Sequence, residues 1–201
     1  MFGMLGLALL ASGGGQSKQV EPEQLNETCA NIIRSAMREV AKRLAHRPEE
    51  LATIEWRDLE RILRETFAGI GFDTKLTRST KDGGFDLELT IDEDGHRKVY
   101  LVEVKHWMDQ KPGKSHLKKL VEVAVTRKAT GALLLSTSGF THTVYKGIVE
   151  FSGSVRLGNR DKIVALCRAY YRIGSGVWTK AYDLEEALFA ETQIVPPFNP
   201  Q

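Results

Sequence analysis

One stretch, residues 82–105, constrains the fold of this chain more than any other. Apolar residues recur there at every second position in two runs: Phe85, Leu87, Leu89 and Ile91, then Tyr100, Val102 and Val104. Strict alternation of this kind is typical of half-buried β-strands. Asp94-Gly95, which lies between the runs, favours a two-residue hairpin turn. The stretch is therefore predicted to form an antiparallel hairpin, with Phe85 and the other residues of the first run on one face.

The register of this hairpin brings charged side chains together. Counting outward from a two-residue turn places Asp86 directly opposite Glu103. Opposed residues have Cβ atoms about 4.5–5.5 Å apart. Residues two apart in a strand share a face, so Lys105 joins the pair. Two carboxylates and one ammonium group are predicted to converge.

This convergence is typical of a metal site. Opposed carboxylates repel each other unless a cation lies between them. Mg²⁺ is commonly held by one or two carboxylates together with water and substrate phosphate, and Mn²⁺ is a possible substitute. A neighbouring lysine can stabilise charge on the phosphate or orient the attacking water. The alternative is that Asp86 and Glu103 face solvent and are neutralised by lysines.

These residues carry a family resemblance. Asp86 followed by Glu103-Val104-Lys105 resembles the acid…Glu-x-Lys signature of restriction-endonuclease-like, or PD-(D/E)XK, nucleases. The segments 82–86 and 137–141, DGGFD and TSGFT, resemble those of the Mrr-type (type IV restriction) catalytic domain. Phe85 replaces the proline that names the motif, and Glu103 stands where many Mrr-like domains carry glutamine. The resemblance implies that Asp86 and Glu103 bind metal and that Lys105 assists catalysis.

The predicted order of elements agrees with this resemblance. Helix 55–68, strand 72–78, the hairpin, a helix capped by Ser115 and strand 132–135 give the order αβββαβ, which is the core of the nuclease superfamily. We therefore expect an α/β fold with a central mixed sheet flanked by helices. Further elements are expected at 141–151 (helix), 155–157 (strand), 161–172 (helix capped by Asp161) and 183–191 (helix).

The chain is expected to divide into four segments. These are a flexible, apolar and Gly-rich N-terminus (1–20), an N-terminal helical extension (21–50), the nuclease domain (51–173) and a C-terminal extension (174–201). The extension helix, from Pro22 to His46, either packs as an added layer or forms a subunit contact. Residues 1–11 are too few to span a bilayer. They fit a truncated anchor, a weak signal or a disordered start, and we expect a cytoplasmic protein without a membrane partner.

Other candidate site residues are less constrained. The family resemblance implies that an acidic residue of the helix before the first strand, here Glu60, adds to the metal site; otherwise Glu60 is an exposed helix carboxylate. Asp82 is either a site residue or part of a turn that enters the strand. Cys29 and Cys167 lack metal-type spacing and are expected to be free core residues in a reducing compartment.

A basic surface is expected beside the carboxylates. Residues 97–128 contain nine basic and three acidic residues, an excess suited to a polyanion or merely to solvated faces. Lys118 and Lys119 are candidates for DNA phosphate contacts. Ser138 and Thr141 are further candidates, although ordinary helix capping explains Thr141 equally well. His106 and His116 could also touch phosphate. The sequence has no zinc spacing and no P-loop, so no nucleotide cofactor is expected.

The predicted function is that of a Mg²⁺-dependent endonuclease that cuts double-stranded DNA, in restriction of foreign DNA. A homodimer is possible, because cutting both strands calls for two sites. One alternative is a DNA-binding or partner-binding module of the same fold with a vestigial site. Another is a junction-resolving or repair nuclease.

Overall fold

The computed structural model describes residues 22–77, 83–93, 95–148, 155–176 and 184–192. The expectations for residues 1–20, for Asp82 and for the end of the C-terminal extension lie outside the described residues. So does Asp94 of the predicted turn. Across the described ranges, no helix is both long and apolar enough to cross a membrane.

A five-stranded mixed sheet forms the centre of the fold, with the strands in chain order. The strands are β1 (Asp73–Leu76), β2 (Leu87–Glu93), β3 (His96–Lys105), β4 (Gly131–Ser136) and β5 (Val155–Gly158). β1, β2 and β3 pair antiparallel, whereas β3, β4 and β5 pair parallel. The predicted α/β architecture, with its αβββαβ core and central mixed sheet, is confirmed.

Helices cover both faces of the sheet. They are α1 (Pro22–His46), α2 (Trp56–Ile70), α3 (Lys114–Thr126), α4 (His142–Ile148), α5 (Arg160–Gly174) and α6 (Leu184–Phe189), with a 3-10 helix at Pro48–Thr53. One apolar cluster joins the sheet to α1, α2, α5 and α6, and a second joins the opposite face to α3 and α4. Each face of the sheet therefore has its own core.

Alternation along β3 explains how one strand serves both cores. Tyr100 and Val102 belong to the first cluster, and Leu101 between them belongs to the second. All three side chains are fully buried. Glu103 has the same parity as Leu101, so its side chain leaves the sheet on the α3 face.

The hairpin register is confirmed along most of its length, with Glu93 paired to His96. Pairing ends at Leu87 and Val102, one residue before the predicted pair of Asp86 and Glu103. The Asp86 N–H donates to the Val102 carbonyl instead (2.8 Å). The prediction that Asp86 and Glu103 form a ladder pair is thus wrong, because the chain bends at the strand entrance.

This bend also places the Phe85 side chain on the other face of the sheet. The alternation predicts Phe85 on the face of Leu87, but Phe85 packs in the opposite cluster, which contains Leu101. The Arg127 guanidinium lies over its ring, 4.6 Å from the centroid. Phe85 therefore ties the chain before β2 to the end of α3.

Three smaller expectations are corrected. Gly113, not Ser115, occupies the N-cap position of α3. Asn159, not Asp161, caps α5, and its side-chain oxygen accepts from the N–H groups of Asp161 and Lys162. Cys29 is exposed on α1, whereas Cys167 is buried as expected; both thiols are free.

Only the second half of α1 packs on the domain. Ala41 and Leu44 are buried in the first cluster, so this half forms an added layer. Ile32 and Ile33, in the first half, are 63% and 49% exposed.

Gly84 holds the strand entrance close to α3. Its φ of +70° is a conformation that L side chains rarely adopt. A Cβ built at this position would lie 2.9 Å from Cγ2 of Val123 and 3.2 Å from Cε of Lys119. The absence of a side chain thus lets the segment that carries Asp86 approach the basic helix.

We expect Gly84→Ala to destabilise the protein more than Gly95→Ala. Both glycines have positive φ, but a Cβ at Gly95 meets nothing within 4 Å. Gly95→Ala should therefore cost about 1–2 kcal/mol for backbone strain alone. Gly84→Ala should cost roughly 1–3 kcal/mol more for overpacking. Urea unfolding measures the free energy of unfolding of both variants. Equal losses of stability would show that α3 moves to accommodate the added methyl group without an energetic penalty.

Candidate active site

Four charged side chains converge at one edge of the sheet. Asp86 immediately precedes β2, and Glu103 and Lys105 lie at the end of β3. Glu60 comes from α2, the helix before the first strand. Electrostatic interactions link Asp86 to each of the other three groups. The structure thus brings together the four residues predicted to form the site.

Glu103 is the most deeply placed of the carboxylates, at 5% exposure. Its Oε1 atom lies 2.7 Å from the Lys105 Nζ atom. Its Oε2 atom is buried and has no hydrogen-bond partner among the described residues. Burial raises the pKa of Glu103, and the Lys105 ammonium opposes that rise. The idea that Glu103 is a solvent-facing strand carboxylate is therefore wrong.

Asp86 is half-buried and held by the backbone of β3. Its Oδ2 atom accepts a hydrogen bond from the Val104 N–H (2.7 Å). Burial raises the pKa of Asp86, while this hydrogen bond and the charge of Lys105 lower it. The side-chain hydrogen bond replaces the missing ladder pair, so the carboxylate stays at the end of β3 despite the bend.

Glu60 completes the acidic group from the α2 side. It is only 9% exposed, which contradicts the alternative of an exposed helix carboxylate. Burial, followed by repulsion from Asp86, raises its pKa to about 7, although nearby Arg57, Lys105 and Arg61 act in the opposite direction.

Lys105 is the cation that these carboxylates share. Its charge lowers the pKa of Glu60, Asp86 and Glu103. Its Nζ atom also lies 5.7 Å from the centroid of the Trp107 ring. Lys105 is partly buried, with 21% of its side chain accessible, which suits a group that meets a ligand arriving from solvent.

The donor set fits a hard divalent cation. Within the ranges that the structure describes, no three Asp, Glu, His or Cys side chains are grouped closely enough to hold a metal ion by themselves. Mg²⁺ does not need such a cage, because it keeps several waters and takes one or two carboxylates plus substrate phosphate. The unpaired Oε2 of Glu103 is available as one such ligand atom, and a buried carboxylate oxygen without a partner is costly.

Of the two candidate phosphate lysines, Lys119 is nearer the acidic group. Its charge lowers the pKa of Glu103, and its side chain passes over Gly84. Lys118 is 68% exposed and lies 3.7 Å from Glu122, one turn along α3.

The predicted phosphate ligands beyond β4 bond to the protein instead. The Ser138 hydroxyl donates to the Gln110 carbonyl (2.5 Å), and the Thr141 hydroxyl lies 3.3 Å from the Pro112 carbonyl. The Thr141 N–H also donates to Pro112. These bonds fix the loop after β3 against the turn after β4.

The two histidines predicted to touch phosphate, His106 and His116, differ in how their ring nitrogens are hydrogen-bonded. His106 Nε2 lies 2.6 Å from the Ile54 carbonyl, and Nδ1 lies 2.9 Å from the Thr137 hydroxyl, so both nitrogens are engaged. His116 Nδ1 accepts from the Gly113 N–H (3.3 Å), and burial together with Lys105 lowers the pKa of His116.

Trp107 is the residue of this region that sequence reasoning missed. Its ring contacts His116 edge-on, with the centroids 5.2 Å apart, and Lys105 on another side. The signal was its position two residues after Lys105, where the chain leaves the end of β3 beside the site.

One family of known proteins matches this chain. The family model Mrr_cat, for a restriction endonuclease, matches residues 51–167, which is more than half of the chain. The chain belongs to this restriction endonuclease family. The resemblance expected from the motifs is thereby confirmed.

One relative matches most of this chain but is much longer than it. The chain is 35% identical over 161 residues to "Uncharacterized protein y4cE" of Sinorhizobium fredii (strain NBRC 101917 / NGR234). That match covers 79% of this chain and 41% of the relative, so the chain spans about two fifths of the relative's length.

Solved structures of restriction endonucleases are also similar. MspJI in complex with a 27-mer oligonucleotide matches at 18% identity and a TM-score of 0.43, covering 90% of this chain and 38% of that chain. The modification-dependent restriction endonuclease AspBHI matches at 17% identity and a TM-score of 0.40, covering 87% and 43%. FokI matches at 13% identity and a TM-score of 0.43, covering 61% and 26%.

We expect the metal-free protein to lose stability as pH rises from about 4.5 to 7. The pKa of Glu60 is about 7 in the folded state against an ordinary 4.5, so the folded state holds a proton that the unfolded state releases. This contribution is complete below pH 4.5 and is lost as pH rises through 7. Glu60→Gln should flatten the profile, whereas Glu49→Gln, at an exposed position, should not.

Chemical unfolding in EDTA at several pH values measures this effect. Identical pH profiles for wild type and Glu60→Gln would contradict it.

Proposed function

We propose that this chain is a metal-dependent endonuclease that hydrolyses phosphodiester bonds in double-stranded DNA. The observation that carries the proposal is the buried Glu103 carboxylate, which shares one oxygen with Lys105 and leaves the other without a partner. Membership of a restriction endonuclease family supplies the reaction class. Restriction of foreign DNA in the cytoplasm is part of the proposal, and the two free thiols fit a reducing compartment.

Asp86 and Glu103 would hold Mg²⁺, with Mn²⁺ as a substitute, and Glu60 would complete the shell when ionised. A bound Mg²⁺ would lower the pKa of its water and neutralise charge on the phosphate. Because Glu60, Asp86 and Glu103 all have raised pKa values, they bind a cation better when pH rises and their protons leave.

The residues of the chain then have separate tasks. The Lys105 ammonium stabilises negative charge as it develops on the reacting phosphate. The Val104 N–H holds Asp86 in place through its Oδ2 atom. Lys119 attracts the phosphate backbone from the α3 side, and Lys118 adds to the positive field further out. Ser138 and Thr141 support the loop that carries Trp107.

A homodimer is part of this proposal, because cleavage of both strands requires two active sites. The test of the function is incubation of supercoiled plasmid and of linear, methylated and branched duplexes with purified protein and Mg²⁺. Nicked or linear product is expected. Intact DNA of every kind would favour the alternative of a binding module with an inactive site, and selective cutting of branched DNA would favour a junction-resolving or repair nuclease.

We expect Mg²⁺ or Mn²⁺ to raise the melting temperature of wild type but not of Glu103→Gln. At about 100 times Kd, binding stabilises the folded state by about 2.7 kcal/mol. That corresponds to roughly 5–10 °C for a chain of this length. Glu122→Gln, on an exposed glutamate of α3, is the matched control and should keep the shift.

The shift should be larger at pH 8 than at pH 5.5, since the carboxylates must lose their protons. Calorimetry with EDTA as the reference measures it. If the metal ion also raises the melting temperature of Glu103→Gln, the ion binds elsewhere.

Lys105→Met should separate chemistry from metal binding. We expect it to lower the cleavage rate about 100- to 1000-fold, by loss of charge stabilisation. The metal-induced melting shift should remain, because Lys105 is not a ligand. Lys42→Met, on α1 where Lys42 pairs with Glu39, controls for the loss of one positive charge.

Single-turnover cleavage of a labelled duplex gives the rates. Equal rates for Lys105→Met and Lys42→Met would exclude the role assigned to Lys105.

A further inference from the structure

A cavity lies next to Lys105, which contacts the ring of Trp107 in the cavity wall. It has a volume of about 210 Å³, and its lining includes Ala52, His106, Trp107, Met108, Ser138 and Arg160. Trp107 belongs both to this cavity and to the surroundings of Lys105. We call this cavity the Trp107 pocket. A group that enters it therefore lies next to the site where the phosphate would be cut.

The position of the Trp107 pocket follows from the sheet topology. β3 and β4 run parallel, and the pocket uses the residues that follow their carboxyl ends. In open α/β sheets, ligands bind in the crevice outside these ends. Here β3 also carries Glu103 and Lys105, so one strand leads from the active site to the pocket.

The walls of the pocket are held in place before any ligand arrives. The Ile54 carbonyl can only accept, so His106 Nε2 carries its proton, and Nδ1 then accepts from the Thr137 hydroxyl. The Ser138 hydroxyl is bonded to the Gln110 carbonyl. These polar side chains are thus fixed by the protein, and the pocket is preformed.

The size and chemistry of the pocket favour a single flat ring system. Its volume is below the ~300–1,000 Å³ of sites for drug-sized ligands. Trp107 offers an aromatic surface, and Met108 beside it is 62% exposed. Aromatic side chains stack on nucleic acid bases irrespective of sequence.

Arg160 supplies positive charge at the same pocket. It is exposed and donates one hydrogen bond, to the Pro48 carbonyl (2.8 Å). A guanidinium group has five N–H donors, and no ion pair of Arg160 occurs in the described part of the chain. Arg160 is thus able to bind a phosphate beside the pocket.

We propose that the Trp107 pocket receives one unstacked base of the DNA strand that is cut. The base stacks on Trp107, and a neighbouring phosphate pairs with Arg160. This inference rests on the proposed function and extends it to the substrate. It follows that the protein prefers DNA in which the base next to the cut is mismatched, because such a base costs less to unstack.

Binding without cleavage tests the proposal. Fluorescence anisotropy measures the affinity of labelled duplexes in Ca²⁺, which takes the same oxygen ligands as Mg²⁺. A single mismatch is moved along the duplex. Wild type should bind about tenfold more tightly when the mismatch occupies one particular position.

Four variants identify the pocket as the cause. Trp107→Ala and Ala52→Leu, which fills the pocket from its rim without touching the charged site, should lose the mismatch preference. Trp107→Phe should keep it, because a ring remains. Trp56→Ala is the matched control, since Trp56 is an exposed tryptophan that does not line the pocket, and it should behave as wild type.

Photocross-linking locates the base. 5-Iodouracil placed at the preferred position should form an adduct on the peptide that contains Trp107, and Ala52→Leu should abolish it. DNA binding without any positional preference would overturn the proposal while leaving the nuclease function intact. A preference that survives in Ala52→Leu or Trp107→Ala would also overturn it. Failure of wild type to bind DNA at all would instead overturn the proposed function, and this inference with it.

Discussion

The ion pair between Glu103 and Lys105 organises this molecule. A carboxylate that is 5% exposed is costly to ionise, and a single lysine satisfies only one of its two oxygens. The cost of removing two charges from water can exceed their mutual attraction, so such pairs are poor sources of stability. The energetic cost is better explained by a ligand than by folding, since a cation at the free oxygen would complete the pairing.

Strand pairing changes from antiparallel to parallel at β3, the strand that carries this pair. β3 is antiparallel to β2 and parallel to β4, so its end collects the entrance of β2 and the exit of β4 at one edge. Asp86 and Lys105 come from the first junction, and the walls of the Trp107 pocket come from the second. The topology thus places a charged site and a preformed aromatic pocket side by side. Glu60 of α2 and the carbonyl of Ile54, which precedes α2, close the edge.

Much of this arrangement could be predicted from the sequence. Period-two alternation and Asp94-Gly95 specify the register that pairs Glu93 with His96, and the Glu-x-Lys spacing then places Lys105 beside Glu103. The bend before β2 could not be predicted, because it depends on Gly84 meeting α3, which is distant in sequence. Trp107 was missed for the same reason: only tertiary packing shows that it contacts both Lys105 and His116.

The proposed nuclease site requires a cation at the unpaired oxygen of Glu103. Anomalous diffraction from crystals soaked in Mn²⁺ tests this most directly, because it locates the ion without assuming any activity. A single strong peak is expected at bonding distance from Glu103 Oε2 and from an oxygen of Asp86, roughly 2.0–2.1 Å as for Mg²⁺. A fully soaked crystal with no peak there, or with Mn²⁺ bound elsewhere while the Glu103 oxygen stays unpaired, would contradict it.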